Sequence, residues 1–538
     1  MSRALPRGVI AIALVAVAYA SIIQSFNWNQ TSHYALVRSI GRGTPHIDRY
    51  IDTTHDRAAF HGHWYSSRAP GLAFFLVPEY KVLSAVGARA VARWSQAQRS
   101  DDEMVWAIGL FGAVLPALVI MLLVRSLAER VEPGYGTAAA VTLGLGTLLF
   151  PVGTLLFSHV FAACLGFVAF ALLWRERDGP PRLWIPAVAG LAIGYAITTE
   201  YALAFVAVIL AVYAVTRPGH LSLRARTLRL AAYAGGALAG LVPLALYDLW
   251  AFGSVTHVAY ADLPRHQSGF FGITTPSLRT AAALLFSSHG LLTLAPVLAL
   301  AALGVVLLYR RGNRAEATVT AGICLAYLLY NSGYYLPFGG AAPGPRFLIA
   351  MLPFLGVPLA LAYRRWPGPV LALGAASIVT LGLATLTHPL VGSEAETAVW
   401  TRLATHRLFQ PTVLSAFGLG RGLLVVTLPV AAAGAGLAVA LAATPALRLS
   451  PRALAAGAAV ATGWAVAATL LPKQLGIDAL SRARVVAAGD PFGGSQYPSQ
   501  AHPLLHLCAG ALAASLAALV AVHLVRGRRG PLAARATA

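Results

Sequence analysis

Residues 104–124, MVWAIGLFGAVLPALVIMLLV, contain no charged side chain and are followed by Arg125. Roughly 20 apolar helical residues cross a bilayer core, so this stretch predicts a transmembrane helix at 104–125. Comparable runs recur along the chain and predict an all-α, polytopic transmembrane helical bundle of about 12–14 spans. The predicted spans are 8–24, 104–125, 136–156, 160–174, 183–199, 201–216, 229–250, 290–309, 317–336, 347–363, 368–387, 422–442, 453–471 and 503–525.

The composition supports the same class. Apolar residues make up 58% of the 538 residues, charged residues only 11%, and the mean hydropathy is +0.69, which is more apolar surface than a soluble core buries. The net charge of +21 comes mostly from arginines in the breaks between apolar runs, a pattern typical of membrane topology and not of a nucleic-acid partner. No Walker sequence is present, so ATP-driven transport has no support.

The first apolar run has two interpretations. Residues 8–23 follow Arg7, and Ala18–Ala20 resembles a cleavage site, as in a secretory signal. We favour a retained first helix, because the run is long enough to span and many more spans follow.

Arginines are concentrated in alternate short connections, such as those holding Arg130, Arg177 and Arg364. The positive-inside rule places these connections, and both termini, in the cytoplasm of a multi-pass protein of the inner (plasma) membrane. Four long connections, near 25–103, 248–289, 388–421 and 472–502, then lie outside the cytoplasm. Because loops on a rigid scaffold often carry function, we expect an extracytoplasmic active face.

The first long connection holds three carboxylates spaced by four residues, Asp48, Asp52 and Asp56. On a helix they would share one face and repel one another, and one of them would suit general-base chemistry through a raised pKa. Pro45 and the Thr53–Thr54 pair make a continuous helix uncertain, and a solvated acidic face is an equal alternative. The same connection adds His63, Tyr65 and Arg68, after His61.

Three ionisable residues lie at span ends on the predicted outer side: His159, Glu200 and Asp248. Each alone suits a helix cap or a side chain reaching the interface, but together they indicate a shared polar cavity. The following connection adds polar groups that would close over such a cavity, although a hydrated loop explains them equally well. These groups are His257, Tyr260, Asp262, Arg265 and His266.

The stretch 338–347, FGGAAPGPRF, predicts a turn that delivers Arg346 to the start of the tenth span. Exposed backbone N–H groups beside a guanidinium at a helix N-terminus suit an anion or a phosphate. The alternative is a tight hairpin whose arginine only anchors at the headgroups. A divalent metal remains open as a cofactor, since His and Asp are abundant in the first long connection but no His-x-x-x-His pair is present.

The stretches Tyr34–Arg38 and Tyr65–Gly71, with the corners at His159 and Glu200 and the Gly-Pro-Arg-Phe-Leu turn, resemble the GT-C glycosyltransferases. Within these enzymes, the motifs are most similar to those of the bacterial protein mannosyltransferase and aminoarabinose transferase group. The resemblance covers about residues 1–363 as a catalytic core that includes the connection 25–103, and leaves 364–538 as additional C-terminal helices with two outer loops.

This resemblance implies transfer of a sugar from a polyprenyl-phosphate donor to an extracytoplasmic acceptor in the cell envelope, with inversion. The family's acidic pair is replaced by Asn29-Gln30, and the Asp of its closing segment by Ser67. The catalytic carboxylate must then come from elsewhere, with Asp48 and Asp56 first and Asp52 third. Arg68 and Arg346 would meet the phosphate of the lipid-linked sugar, a loop carboxylate would take the acceptor proton, and His159, Glu200, Tyr65 and His63 would bind substrate.

Two other classes remain alternatives. A transporter or lipid flippase has similar hydropathy, although internal repeats and charges at span centres are not evident. A non-catalytic relative that binds a polyprenyl lipid would account for the replaced acidic pair.

Overall fold

A computed structural model describes residues 6–25, 27–86, 100–216, 221–263, 269–390, 398–419, 422–444, 447, 449–475, 477 and 503–527. The α-helices are Arg7–Ala20, Trp28–Gly41, Gly71–Val86, Ser100–Gly109, Leu115–Val131, Gly136–Leu145, Leu149–Gly153, Ser158–Glu176, Trp184–Thr199, Leu203–Val215, Leu223–Phe252, Leu278–Phe286, Leu291–Leu294, Val297–Arg310, Arg314–Gly333, Leu352–Arg365, Pro367–Thr387, Ala398–Thr405, Thr427–Ala442, Pro451–Gln474 and Pro503–Gly527. Short 3-10 helices are Asp48–Thr53, Ala259–Asp262, Arg346–Met351, Val413–Phe417 and Leu423–Val426, a π-helical turn is Leu110–Val114, and the strands are Arg57–Phe60 and His63–Ser66.

Each predicted span coincides with a helix or with successive helices. Within the described ranges, eight helices are long and apolar enough to cross a membrane, and the bent pair Leu278–Leu294 and Val297–Arg310 would add a ninth crossing. The chain is a multi-pass, all-α membrane protein, so the predicted fold class is confirmed. Four shorter apolar helices are Arg7–Ala20, Gly136–Leu145, Trp184–Thr199 and Leu203–Val215.

The first long connection folds into a small unit of its own. Its two strands pair antiparallel, and the residues that join them, His61 and Gly62, have φ of +47° and +83°. Two successive positive φ values make a tight hairpin turn that matches the twist of the strands. An apolar cluster that includes Leu36, Leu72 and Phe161 packs this unit onto the bundle.

The three spaced carboxylates do not share a helix face, which corrects the first of the two interpretations above. Asp48 begins the 3-10 helix, Asp52 lies near its end, and Asp56 follows in extended chain. Thr54 ends the helix, because its backbone is extended and its hydroxyl donates to Trp28 O at 2.8 Å. The same hydroxyl accepts from the Asp56 N–H at 3.1 Å, a local side-chain bond that competes with helix formation.

Arginines from several short connections converge at one end of the bundle. Glu132 is buried and pairs with Arg364 at 2.5 Å and with Arg311 at 2.8 Å. Arg229 makes two bonds to Glu176, at 2.6 and 2.7 Å, and both side chains are buried. Charges buried in this way are stable when they are paired and hydrogen-bonded. Ion pairs therefore tie together the helices at the arginine-rich end.

Glycines allow the helices Trp184–Thr199 and Leu223–Phe252 to cross closely. A Cβ placed at Gly190 or Gly236 would lie 2.0 Å from a backbone carbonyl of the facing helix. Small residues at such a crossing permit backbone contact in membrane bundles. The contact fixes the end of the first of these helices, immediately before Glu200.

Candidate functional site

A small cavity of about 40 Å³ lies at the end of the bundle opposite the arginine-rich connections. Three helices reach the cavity with one end, at His159, Tyr330 and Arg346. The opposite ends of the first two helices carry the ion-paired Glu176 and Glu316. The wall residues with polar chemistry include His159, Glu200, Tyr260, Tyr327, Tyr330 and Arg346.

His159 and Glu200 form a buried pair in this cavity. His159 Nδ1 lies 2.8 Å from Glu200 Oε1, and Ser158 donates to the same carboxylate oxygen. Burial opposes ionisation of Glu200, but the charge and hydrogen bond of His159 and the bond from Ser158 lower its pKa to about 2. An ionised carboxylate can only accept hydrogen bonds. When His159 is neutral, its Nδ1–H therefore donates to Glu200, and the lone pair of the ring is on Nε2. That Nε2 is buried and has no hydrogen-bond partner among the described residues.

Arg346 brings a guanidinium into the same cavity. The side chain is 5% exposed, and its Nη1 donates to Ala341 O at 3.3 Å. Its Nε has no hydrogen-bond partner, and no carboxylate lies within ion-pair distance in the described part of the chain. The glycine turn packs directly on it, because a Cβ at Gly339 would lie 2.7 Å from Arg346 Nε. The turn and the guanidinium are therefore in contact, and their role as an anion site stays a prediction.

The first connection adds a second guanidinium. Arg68 forms an ion pair with Asp56. Burial disfavours its charge, but Asp56, Tyr260 and Glu200 hold the pKa of Arg68 above its ordinary value. Gly71 docks this segment on the bundle, because its carbonyl accepts from Tyr195 at 2.9 Å. Arg68 lies within electrostatic reach of Glu200, and both Arg68 and Asp56 act on the charge of Arg346.

Two polar residues beside this group were missed by the sequence analysis. His33 is fully buried, and Arg68, Glu200, His159 and Arg346 all act on its charge. Burial, followed by Arg68, lowers the pKa of His33 to about 3, so the ring is neutral near pH 7.

Neither ring nitrogen of His33 has a hydrogen-bond partner among the described residues, and the same holds for the buried amide of Asn29, one helical turn earlier. The available signal was the spacing of four between Asn29 and His33, which puts both on one helix face. Gln30, by contrast, has a structural role. Its side-chain amide donates a hydrogen bond to Ser25 O and accepts one from the Leu156 N–H.

Tyrosines supply most of the remaining wall. Tyr327, Tyr330 and Tyr334 follow one another at spacings of three and four near the end of Arg314–Gly333. Tyr260 packs edge-on against Tyr201 at 5.4 Å between ring centroids. Aromatic rings with a hydroxyl offer an apolar face and a polar edge, which suits a ligand that is partly hydroxylated.

The other predicted residues lie elsewhere. Asp48 and His63 meet His46 in a separate cluster, and Tyr65 is buried beside it with its ring 4.8 Å from that of Phe252. Asp52 is exposed at the end of its 3-10 helix. Asp248 is buried but is not in the cavity wall, and Arg265 and His266 lie outside the described residues. Of the three predicted catalytic carboxylates, the structure places only Asp56 near the cavity.

Comparisons with known proteins give similarity at the level of structure only. No protein-family model matches the chain, and no curated protein matches it. ArnT from Cupriavidus metallidurans bound to undecaprenyl phosphate is similar at TM-score 0.49 and 15% identity, over 85% of this chain and 79% of that chain.

Two larger proteins are similar as well. The oligosaccharyltransferase of Archaeoglobus fulgidus matches at TM-score 0.40 and 12% identity, over 79% of this chain and 55% of its own. The arabinosyltransferase EmbB from Mycobacterium smegmatis matches at TM-score 0.43 and 14% identity, over 98% of this chain and 42% of its own. Two of the three are named as an oligosaccharyltransferase and an arabinosyltransferase. At these levels of similarity, the roles of individual residues rest on the geometry of this chain.

Proposed function

We propose that this protein is a membrane glycosyltransferase that moves a sugar from a polyprenyl-phosphate donor to a hydroxyl of a cell-envelope acceptor. One observation carries the proposal: Arg346, 5% exposed, lines a cavity without a carboxylate partner in the described part of the chain. A buried, unpaired guanidinium is costly unless an anion joins it. A phosphate on an apolar lipid, arriving from the surrounding bilayer, meets that need through a charge-assisted bond.

The His159–Glu200 pair supports the chemistry of acceptor activation. The acceptor hydroxyl gives its proton to Nε2 of His159, and its oxygen forms a bond to the anomeric carbon of the sugar. The bond from that carbon to the phosphate oxygen breaks, and its electron pair leaves with the phosphate. Arg346 and Arg68 stabilise the charge that develops on the phosphate. Glu200 orients the imidazole and stabilises its protonated form, as in other carboxylate–imidazole pairs.

Asp56 is the second candidate for the base. Its ion pair with Arg68 leaves its carboxylate 28% exposed, so it is accessible to an acceptor that enters from the first connection. A single displacement by either base inverts the configuration at the anomeric carbon. Asp48 and Asp52 are weaker candidates in our proposal, because neither is placed near the cavity.

The position of the arginines indicates which side of the membrane the cavity faces. The ion-paired arginines, at the opposite end, lie in connections that the positive-inside rule assigns to the cytoplasm. We therefore place the cavity, with the first connection, on the extracytoplasmic face of the inner membrane. A lipid-linked donor suits that side, because activated nucleotide sugars are not expected outside the cytoplasm.

Binding and turnover test the proposal separately. Purified protein in lipid nanodiscs is titrated with undecaprenyl phosphate, the lipid bound in the Cupriavidus ArnT structure. Arg346→Gln should weaken binding by at least about tenfold, the loss of one charge-assisted contact. Arg365→Gln is the matched control, because Arg365 ends the same segment, is exposed and forms no ion pair within the described residues. Equal binding by wild type and Arg346→Gln would exclude this phosphate site.

Turnover is followed as transfer of labelled sugar from undecaprenyl-phosphate donors in membranes. His159→Gln should lower kcat by a factor of about 100 or more, the usual contribution of a general base. Asp56→Asn, assayed beside it, decides between the two bases. Binding of undecaprenyl phosphate without turnover of any donor in wild type would favour a lipid-binding protein without catalysis, which is the reading that Asn29 and Gln30 support.

A further inference from the structure

A three-residue cluster lies in the first connection, apart from the cavity. Nδ1 of His63 is 2.6 Å from Asp48 Oδ2, and Nδ1 of His46 is 3.0 Å from the same oxygen. The three ligand atoms all lie within 4.8 Å of one another. Within the described residues this is the one group of at least three His, Cys, Asp or Glu side chains that converge in this way.

We infer that His46, Asp48 and His63 bind a divalent transition metal of the Zn²⁺ type. Two imidazole nitrogens and one carboxylate oxygen are a donor set that zinc prefers. Tetrahedral zinc separates its ligand atoms by ~3.4 Å at ordinary bond lengths, so each histidine needs to shift only by a few tenths of an ångström to about one ångström. Three protein ligands leave a fourth position for water or for an anion.

Hydrogen bonding alone does not account for the whole cluster. His63 makes a hydrogen bond to Asp48. The Nδ1 of His46 is buried and close to the same carboxylate but lacks the geometry of a hydrogen bond and has no other partner among the described residues. The two imidazole rings stack with centroids 4.5 Å apart. A cation between the nitrogens and the oxygen would use the lone pair that His46 leaves unused.

The surroundings hold the ligands in place. The second oxygen of Asp48 accepts from the Trp64 N–H at 2.6 Å, and Ile47 N donates to Trp64 O at 2.6 Å. Partners of this kind orient a ligating carboxylate. The ligands come from the start of a 3-10 helix and from the second strand, so the metal would join two segments of the first connection. His63 and Asp48 are partly exposed, which gives an ion a path from solvent.

Metal titration tests the inference without any sugar donor. Full-length protein in detergent is treated with a chelator, and Zn²⁺ alone is then added in competition with a chromogenic indicator. Wild type should bind one equivalent, whereas His63→Ala and Asp48→Asn should each weaken binding by at least about tenfold. The matched control is His257→Ala, since His257 pairs with Asp262 at 2.8 Å but belongs to no three-ligand group within the described residues.

A second variant keeps the test decisive if the alanine variant folds poorly. His63→Cys should bind Co²⁺ and add a thiolate-to-metal absorption band that wild type lacks, because sulfur then ligates directly. Unchanged Zn²⁺ affinity in both His63→Ala and Asp48→Asn, or a Co²⁺ complex of His63→Cys without that band, would overturn the assignment. These outcomes do not depend on Arg346 or His159, so they are separate from the fate of the proposed function.

Discussion

The two ends of the helical bundle differ in how completely their buried polar groups are paired. At the arginine-rich end, Arg229 and Glu176 satisfy each other through two hydrogen bonds. At the cavity end, Arg346 and the Nε2 of His159 are buried without such partners in the described residues. The same helices carry both kinds of group at their two termini. Paired charge holds helices together, whereas unpaired charge is a cost that the fold retains for a ligand.

The largest expected effect comes from breaking a pair. Arg229→Met leaves the carboxylate of Glu176 buried without its guanidinium, which should cost about 3–5 kcal/mol in the free energy of unfolding. Thermal unfolding in detergent measures the loss. The double variant Arg229→Met/Glu176→Leu should recover most of it, because no lone charge then remains. A single variant as stable as the double would show that this pair does not tie the helices.

Removal of the Arg346 guanidinium should have the opposite effect on the stability of the fold. Arg346→Met exchanges a buried guanidinium for an apolar side chain of similar length, so the midpoint of thermal unfolding without ligand should stay equal or rise. Undecaprenyl phosphate should raise the midpoint of wild type by mass action and leave that of Arg346→Met unchanged. Strong destabilisation of the ligand-free variant would show that Arg346 has an internal structural partner.

The pair His159–Glu200 predicts a dependence on acid pH. Burial works against the charge, yet His159 and Ser158 bring the pKa of Glu200 to about 2, below its ordinary value of 4.5. The ionised side chain therefore stabilises the fold fully above pH 4.5, and this contribution is lost as the pH falls from 4.5 towards 2. The difference in unfolding midpoint between wild type and Glu200→Gln should be a few degrees, about 2–4 °C, at pH 6, and should shrink across that window. A constant difference would contradict the lowered pKa.

The smallest effect on stability and turnover is expected from substitution of the exposed Asp52. Asp52→Asn should change the free energy of unfolding by less than about 0.5 kcal/mol and leave turnover intact, since an exposed side chain away from the cavity makes few contacts. Asp56→Asn, four residues later, removes the partner of Arg68 and should lower turnover. Equal activity in both variants would remove Asp56 from the site.

Local sequence pattern predicted the helices better than it predicted the site. Apolar runs fix where helices form, because lipid requires every backbone group to be bonded within its own segment. The proximity of His159 and Glu200 was also predictable, since both lie at corners on one predicted side. Asp48 and Asp52 lie on a short 3-10 helix outside the cavity wall, and a side-chain bond of Thr54 ends that helix before Asp56. Such tertiary detail has no periodic signal.

His33 shows what the pattern could not reveal. Its position depends on how the first connection docks on the bundle, and that docking is set by contacts between residues far apart in the chain. Arg68 likewise comes within electrostatic reach of Glu200 because the segment after it packs against the helix that ends at Thr199.

The contact at Gly71 limits how this protein can be rebuilt. A Cβ there would lie 2.4 Å from Thr199 Oγ1 and 2.8 Å from Thr198 O, so the first connection and the bundle fit without any clearance. A graft that exchanged residues 25–86 for those of a similar protein would dock on the bundle only if it kept glycine at position 71. The first connection is therefore not a detachable module, and directed exchange of loops must include the facing threonines.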